Sequence, residues 1–179
     1  MMIYLTTILT KWRWLIVIGI ILFLFTLINS IFSVYRKKKV IATLTRFCDK
    51  KSYRMVIAKR TIYDYIIETN EKKFYIKAIY VPLNAAITVN SKDTWNLTYG
   101  GVRGRPGRGY SRQRYLDELK DFLRKDLNGV KLVLIYPTID KIQKYLNESE
   151  IAILSYKESA YGIRFITYLD WESHFSDLI

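Results

Sequence analysis

The chain has 179 residues, a formal net charge of +13 and an apolar half, a length that fits about one domain behind any anchor. One cysteine and one histidine exclude an intramolecular disulfide and a Cys/His zinc cluster. The charge runs +2 before residue 14, +9 over 35–60, zero over 61–102, +5 over 103–114 and −3 beyond, so it has to be located before it is read as a nucleic-acid signal.

The first element runs from Trp14 to Val34, 21 residues without an Asp, Glu, Lys, Arg or His. At about 1.5 Å of rise per residue, a helix of that length spans about 30 Å, the hydrocarbon thickness of a bilayer. Trp12, Trp14 and Tyr35 stand where amphipathic rings favour headgroups, and Lys11, Arg13 and Arg36-Lys37-Lys38-Lys39 bracket the run. A signal peptide has an apolar core of about 7–15 residues ending in small residues; this run is longer and no Ala-x-Ala site follows it. The expectation is a single-pass transmembrane helix over 14–34, after a short segment over 1–13 and before a basic α/β domain over 35–179. Two positive charges precede the helix and four follow it at once, which favours a cell-membrane protein with its C-terminal domain in the cytoplasm. The lone Cys48 agrees, and the sequons at Asn96 and Asn147 would matter only in a secretory lumen.

Val40, Ile41, Leu44, Phe47 and Cys48 recur at helical spacing, so an amphipathic helix is predicted from 36 to about 50, continuous with the span. Its basic residues are explained by topology and by lipid, since each Lys or Arg near an anionic leaflet contributes about 1 kcal/mol. The period then changes. Segments 53–59, 62–69 and 74–81 are rich in Ile, Val and Tyr and predict strands, the last two joined by the turn Thr69-Asn70-Glu71-Lys72. Weaker strands are expected at 86–89 and 94–98.

Between 101 and 114, Arg103, Arg105, Arg108, Arg112 and Arg114 alternate with glycines around Pro106, with no acid among them. The segment suits phosphate on nucleic acid, nucleotide or lipid, and reads equally as a solvated linker. Beyond it, Ser111 is a candidate cap, and Tyr115, Leu116, Leu119, Phe122, Leu123 and Leu127 form a helical stripe ending at Asn128-Gly129. Val130 to Tyr136 predicts a strand buried on both faces, closed by Pro137. A short helix at 139–146, strands at 151–154 and 163–168, and a short tail follow. His174 reads as a surface residue and Cys48 as core.

The order helix, three or more strands, helix, buried strand, helix, strand resembles the restriction-endonuclease-like core, and more narrowly the nuclease-related domain, over about 36–154. Asp64 precedes the hairpin where that family places its first acid. Tyr75-Ile76-Lys77 falls where it places an acid-x-Lys tripeptide, Trp95 follows the next hairpin, and Gln113 opens the next helix. The resemblance implies an α/β fold, a mixed sheet flanked by helices behind the transmembrane helix, with Asp64 and Lys77 as catalytic residues and Asp64 as a Mg²⁺ ligand if the site is active. It also adds Gln113 to the phosphate-binding residues, beside Arg103, Arg105, Arg108, Arg112 and Arg114.

Metal-dependent phosphodiester hydrolysis needs hard oxygen ligands, usually two carboxylates, and a positioned cation. Here Tyr75 replaces the second acid, and a phenol is a poor Mg²⁺ ligand at neutral pH. Glu68, Asp117, Glu118 or Asp121 would have to fill the vacancy. Without the resemblance, Asp64 and Lys77 read as an exposed pair on the polar face of a hairpin. Three functions follow: a non-catalytic, membrane-anchored domain that binds DNA, RNA or lipid headgroups without a cofactor; an active Mg²⁺-dependent nuclease with a rearranged acid; or a membrane scaffold for another protein.

Overall fold

The computed structural model describes residues 2–59, 61–99, 108–110, 116–146 and 150–179, with backbone alone over 2–13. It divides into two compact units, Met1–Leu44 and Thr45–Ile179.

The first unit is helical throughout its described length, within helix α1 (Met2–Lys51). From Trp14 onward this helix is long and apolar enough to cross a membrane, and it is the one such helix among the described residues. None of its most apolar stretch is buried. A core helix of a water-soluble protein hides its apolar stripe against a neighbour, whereas Trp14, Phe23 and Phe25 each keep more than three-fifths of their surface open.

The second unit starts on the last turns of α1, where Phe47 and Cys48 are buried. Among the described residues, eleven strands follow in two mixed sheets. The first sheet has the order β1 (Arg54–Ile57), β2 (Tyr65–Glu68), β3 (Lys73–Tyr80), β7 (Val130–Tyr136), β11 (Ile163–Thr167), β10 (Ser159–Ala160). The second has the order β6 (Arg108–Gly109), β5 (Trp95–Tyr99), β4 (Ala85–Val89), β8 (Lys141–Tyr145), β9 (Ile151–Leu154). The β2–β3 hairpin is antiparallel, and β7 lies parallel to both β3 and β11. A strand between two parallel neighbours is covered on both faces, and Lys131 to Ile135 are all buried.

The sheets share two continuous chains. β3 runs into β4 and β7 into β8, and both pairs are parallel. Pro82 and the cis Tyr136–Pro137 bond stand just past the strand ends, where a residue without an N–H interrupts the ladder. Val81 N–H still donates to Tyr136 O at 3.0 Å, and Asp140 N–H donates to Ala85 O at 2.8 Å, so pairing resumes on the far side of the bend.

The main core lies between the sheets and joins Ile79, Ile87, Leu97, Val133, Ile142 and Phe165 to Leu116, Leu119, Phe122 and Leu123. Those last residues belong to the helical stripe expected after the Arg/Gly segment. The stripe is realised as a 3₁₀ turn over Asp117–Leu119 and a short α2 (Lys120–Arg124); Ser111 and Tyr115 lie outside the described residues. A second core forms on the other face of the first sheet. There Phe74 meets Phe175 at 5.0 Å, and Phe47 packs edge-on against Trp171 and Phe175 at 5.9 and 5.4 Å.

Two expectations are corrected. The segment at 139–146 is not a helix: Lys141–Tyr145 is strand β8, parallel to β4 and antiparallel to β9. Its apolar spacing suits either structure, and two flanking strands supply backbone partners that an isolated short helix lacks. The short tail, for which no element was expected, is helical over most of its length. Helix α3 (Trp171–His174) and the 3₁₀ turn Phe175–Leu178 place Trp171, Phe175 and Leu178 in the second core.

Candidate functional site

Strand β3 carries Lys77 into the protein. Side chains alternate along a strand: Phe74 turns toward Phe175, while Tyr75 and Ile79 pack with the inter-sheet core, so Lys77 between them shares that inner face. Its side chain is 8% exposed, which corrects the expectation of a solvated hairpin pair. A buried ammonium needs partners to offset its lost hydration. Lys77 Nζ has two, Asp64 Oδ1 at 3.4 Å and Glu118 Oε2 at 3.3 Å.

Asp64 is held by the backbone of β3 itself. Its N–H donates to Ile76 O and its Oδ2 accepts from Ala78 N–H, both at 2.8 Å. These two bonds bracket Lys77 and set the carboxylate beside the ammonium. Glu118 arrives from the turn after the Arg/Gly segment, with Leu116 and Leu119 buried on either side. Its own side chain stays 81% exposed.

The other candidate acids go elsewhere. Glu68 pairs with Lys73 at 2.8 Å and Arg54 at 3.6 Å, and the hydrogen bond from Lys73 holds its carboxyl below the usual range. Asp117 pairs with Lys120 at 3.2 Å. Asp121 is exposed, and its backbone carbonyl caps the end of α2. Tyr75 packs on Tyr63, with ring centroids 5.0 Å apart, and lies under the Lys73 ammonium.

This donor set does not fit Mg²⁺ as placed. Asp64 divides its oxygens between the Ala78 N–H and Lys77, and Glu118 turns to the same ammonium. A divalent cation between these carboxylates would sit against a fixed positive charge.

A second buried lysine went unnoticed in the sequence. Lys131 on β7 is the register partner of Tyr75. It donates to Leu123 O at 2.6 Å and Lys125 O at 3.1 Å, and lies over the Phe122 ring. It therefore closes the carbonyl end of α2, where a cation is favoured. Burial, and secondarily the charge of Lys92, lowers its pKa. The available signal was a single charge inside an otherwise apolar strand.

Of the expected phosphate ligands, Arg108 is described: it lies exposed on β6, opposite Tyr99 of β5. Arg103, Arg105, Arg112, Gln113 and Arg114 lie outside the described residues. Trp95 begins β5, buried against Phe165 at 5.2 Å. Cys48 is buried as expected, and burial pushes its thiol up to about 11. His174 is half-buried, stacked on Tyr156 at 4.2 Å. Comparisons with protein-family models, curated proteins and solved structures find no match to this chain.

Proposed function

We propose that this chain is a single-pass membrane protein whose cytoplasmic domain keeps a nuclease-like arrangement of strands without the catalysis, and binds phosphate-bearing partners, nucleic acid or lipid headgroups, through its Arg/Gly segment. Support for the anchor comes from the exposed apolar helix. Support for the loss of catalysis comes from one relationship. The lysine that a nuclease of this kind would use beside a metal is buried and takes up both nearby carboxylates, while Tyr75 stands in the place of the second acid. Arg108, exposed on an edge strand, supports the binding role, because a guanidinium matches phosphate geometry with paired donors.

The test uses the full-length protein in neutral detergent. No cleavage of DNA or RNA is expected with Mg²⁺ or Mn²⁺. Weak, sequence-tolerant binding is expected, falling steeply with salt, and Arg103→Ala/Arg105→Ala/Arg108→Ala should lower both the affinity and the salt slope. Tyr75→Glu should raise Mn²⁺ affinity if residue 75 occupies the vacant acid position. A second reading, an active nuclease with a rearranged acid, draws on Glu118 reaching Lys77 from the turn at 117–119. Metal-dependent cleavage lost in both Asp64→Ala and Lys77→Ala would establish it.

A further inference from the structure

We propose that Tyr99, backed by Tyr110 and flanked by Arg108, is a stacking platform for unpaired bases, so that the phosphate-bearing partner is single-stranded nucleic acid. This rests on the phosphate-binding role proposed above and narrows it to one ligand class.

The second sheet builds the platform from its edge. Tyr99 ends β5 with 43% of its surface open. Tyr110 follows β6, and its N–H donates to Leu97 O at 3.0 Å, extending the ladder by one bond. The two rings meet edge-on, with centroids 4.9 Å apart and planes at 61°. Tyr110 is also packed against the inter-sheet core. One ring is therefore fixed and half-buried, and it braces a second ring whose surface is open.

Arg108 is the direct cross-strand partner of Tyr99. Residues opposite each other in an antiparallel pair share a face, with Cβ atoms about 4.5–5.5 Å apart. Arg108 is exposed, and among the described residues no carboxylate forms an ion pair with it. An open ring beside an uncompensated guanidinium offers two things at once, a π-face and a phosphate donor. An unpaired nucleotide presents both complements. A duplex hides its base faces in the stack, and a lipid headgroup has no aromatic ring to offer.

The test measures binding of the full-length protein in neutral detergent to four probes: oligothymidine, an abasic oligonucleotide of equal length and charge, a duplex, and glycerophosphoserine, the free phosphatidylserine headgroup. The wild type should bind oligothymidine at least about fivefold more tightly than the abasic strand, the lower end of base–aromatic stacking. Tyr99→Leu should erase that preference while leaving the salt slope unchanged, and Tyr99→Phe should retain it. Equal binding of the two strands by the wild type, or a preference that survives Tyr99→Leu, overturns the platform and leaves the phosphate-binding role standing. Tighter binding to the duplex or the free headgroup also overturns it and moves the role to that ligand. Binding to none of the four at low salt overturns the phosphate-binding role as well. Tyr99 lies at an open strand end, and an unchanged circular dichroism spectrum checks that each variant is folded.

Discussion

Gly129 lies directly against Tyr75. A Cβ added at 129 would meet Tyr75 Cε2 at 3.0 Å and the Lys73 carbonyl oxygen at 2.5 Å. The backbone there has φ of +153°, a conformation L side chains rarely adopt. The start of β7 can therefore approach β3 only through a residue without a side chain, and that approach aligns Tyr75 with Lys131.

Gly129→Ala is expected to destabilise the protein by about 2 kcal/mol or more, because the clash is with backbone and adds to strain. Gly162 is the internal comparison: its φ is +76°, but nothing lies within 4 Å of its added Cβ. Gly162→Ala should cost only the conformational strain, about 1–2 kcal/mol. Denaturant midpoints of the two variants should rank in that order, and the reverse order would count against the close approach at Gly129.

The two carboxylates on Lys77 should differ sharply in weight. Asp64 is 36% exposed and bonded to the β3 backbone, whereas Glu118 is 81% exposed. Asp64→Ala strips a buried ammonium of its fixed partner and leaves the Ala78 N–H unmet, so a loss of about 2–3 kcal/mol is expected after allowing for solvent screening. Glu118→Ala should stay within about 0.5 kcal/mol, as exposed pairs usually do. Similar effects from both in equilibrium unfolding would mean that the ammonium does not depend on Asp64.

Alkaline pH should weaken the second unit through Tyr65. Burial first, and the neighbouring Asp64 charge second, push its phenol up to about 12 from 10, against a hydrogen bond with Tyr80. Between those two values the unfolded chain releases the proton and the folded chain keeps it, so stability falls as pH rises through the window. The loss from this group is about 2–3 kcal/mol. In Tyr65→Phe the decline between pH 10 and 12 should be shallower by that amount; an identical pH profile would show that the phenol is not protected.

The anchor has its own test. An apolar helix buried in lipid is insensitive to ionic strength, whereas a basic surface patch is released by salt. The full-length protein is expected to stay in the membrane fraction through high-salt washes. Protease added outside intact cells should leave the C-terminal domain uncut, and digestion from outside would reverse the proposed orientation.

Elements whose local pattern records their own burial were legible in the sequence. Val130 to Tyr136 has almost no polar residue, and Leu116, Leu119, Phe122 and Leu123 repeat at helical spacing; both patterns record their own environment. β8 was not legible, because Ile142 and Leu146 suit a helix as well as a strand, and the partner that decides between them is β4, far upstream. The burial of Lys77 was hidden for a similar reason: its second carboxylate comes from 41 residues away. The tail carried no predicted element because the packing value of Trp171 and Phe175 depends on Phe47, at the far end of the second unit. Asp64 and Lys77 were singled out through the resemblance and Arg108 through the composition of its segment, whereas the neighbours of Lys131 and Tyr99 lie across a ladder that local sequence does not display.

The paired crossing of β3 into β4 and β7 into β8 makes the two sheets one mechanical body. Separating them means bending two adjacent backbones together, and the bonds from Val81 N–H to Tyr136 O and from Asp140 N–H to Ala85 O tie those backbones on either side of the bend. Because each sheet holds half of the same two threads, the two sheets are expected to melt together. Tension applied at the Arg108 edge would pass through β5 and β4 into β3, the strand that carries Lys77, so the second unit is expected to yield as a single piece.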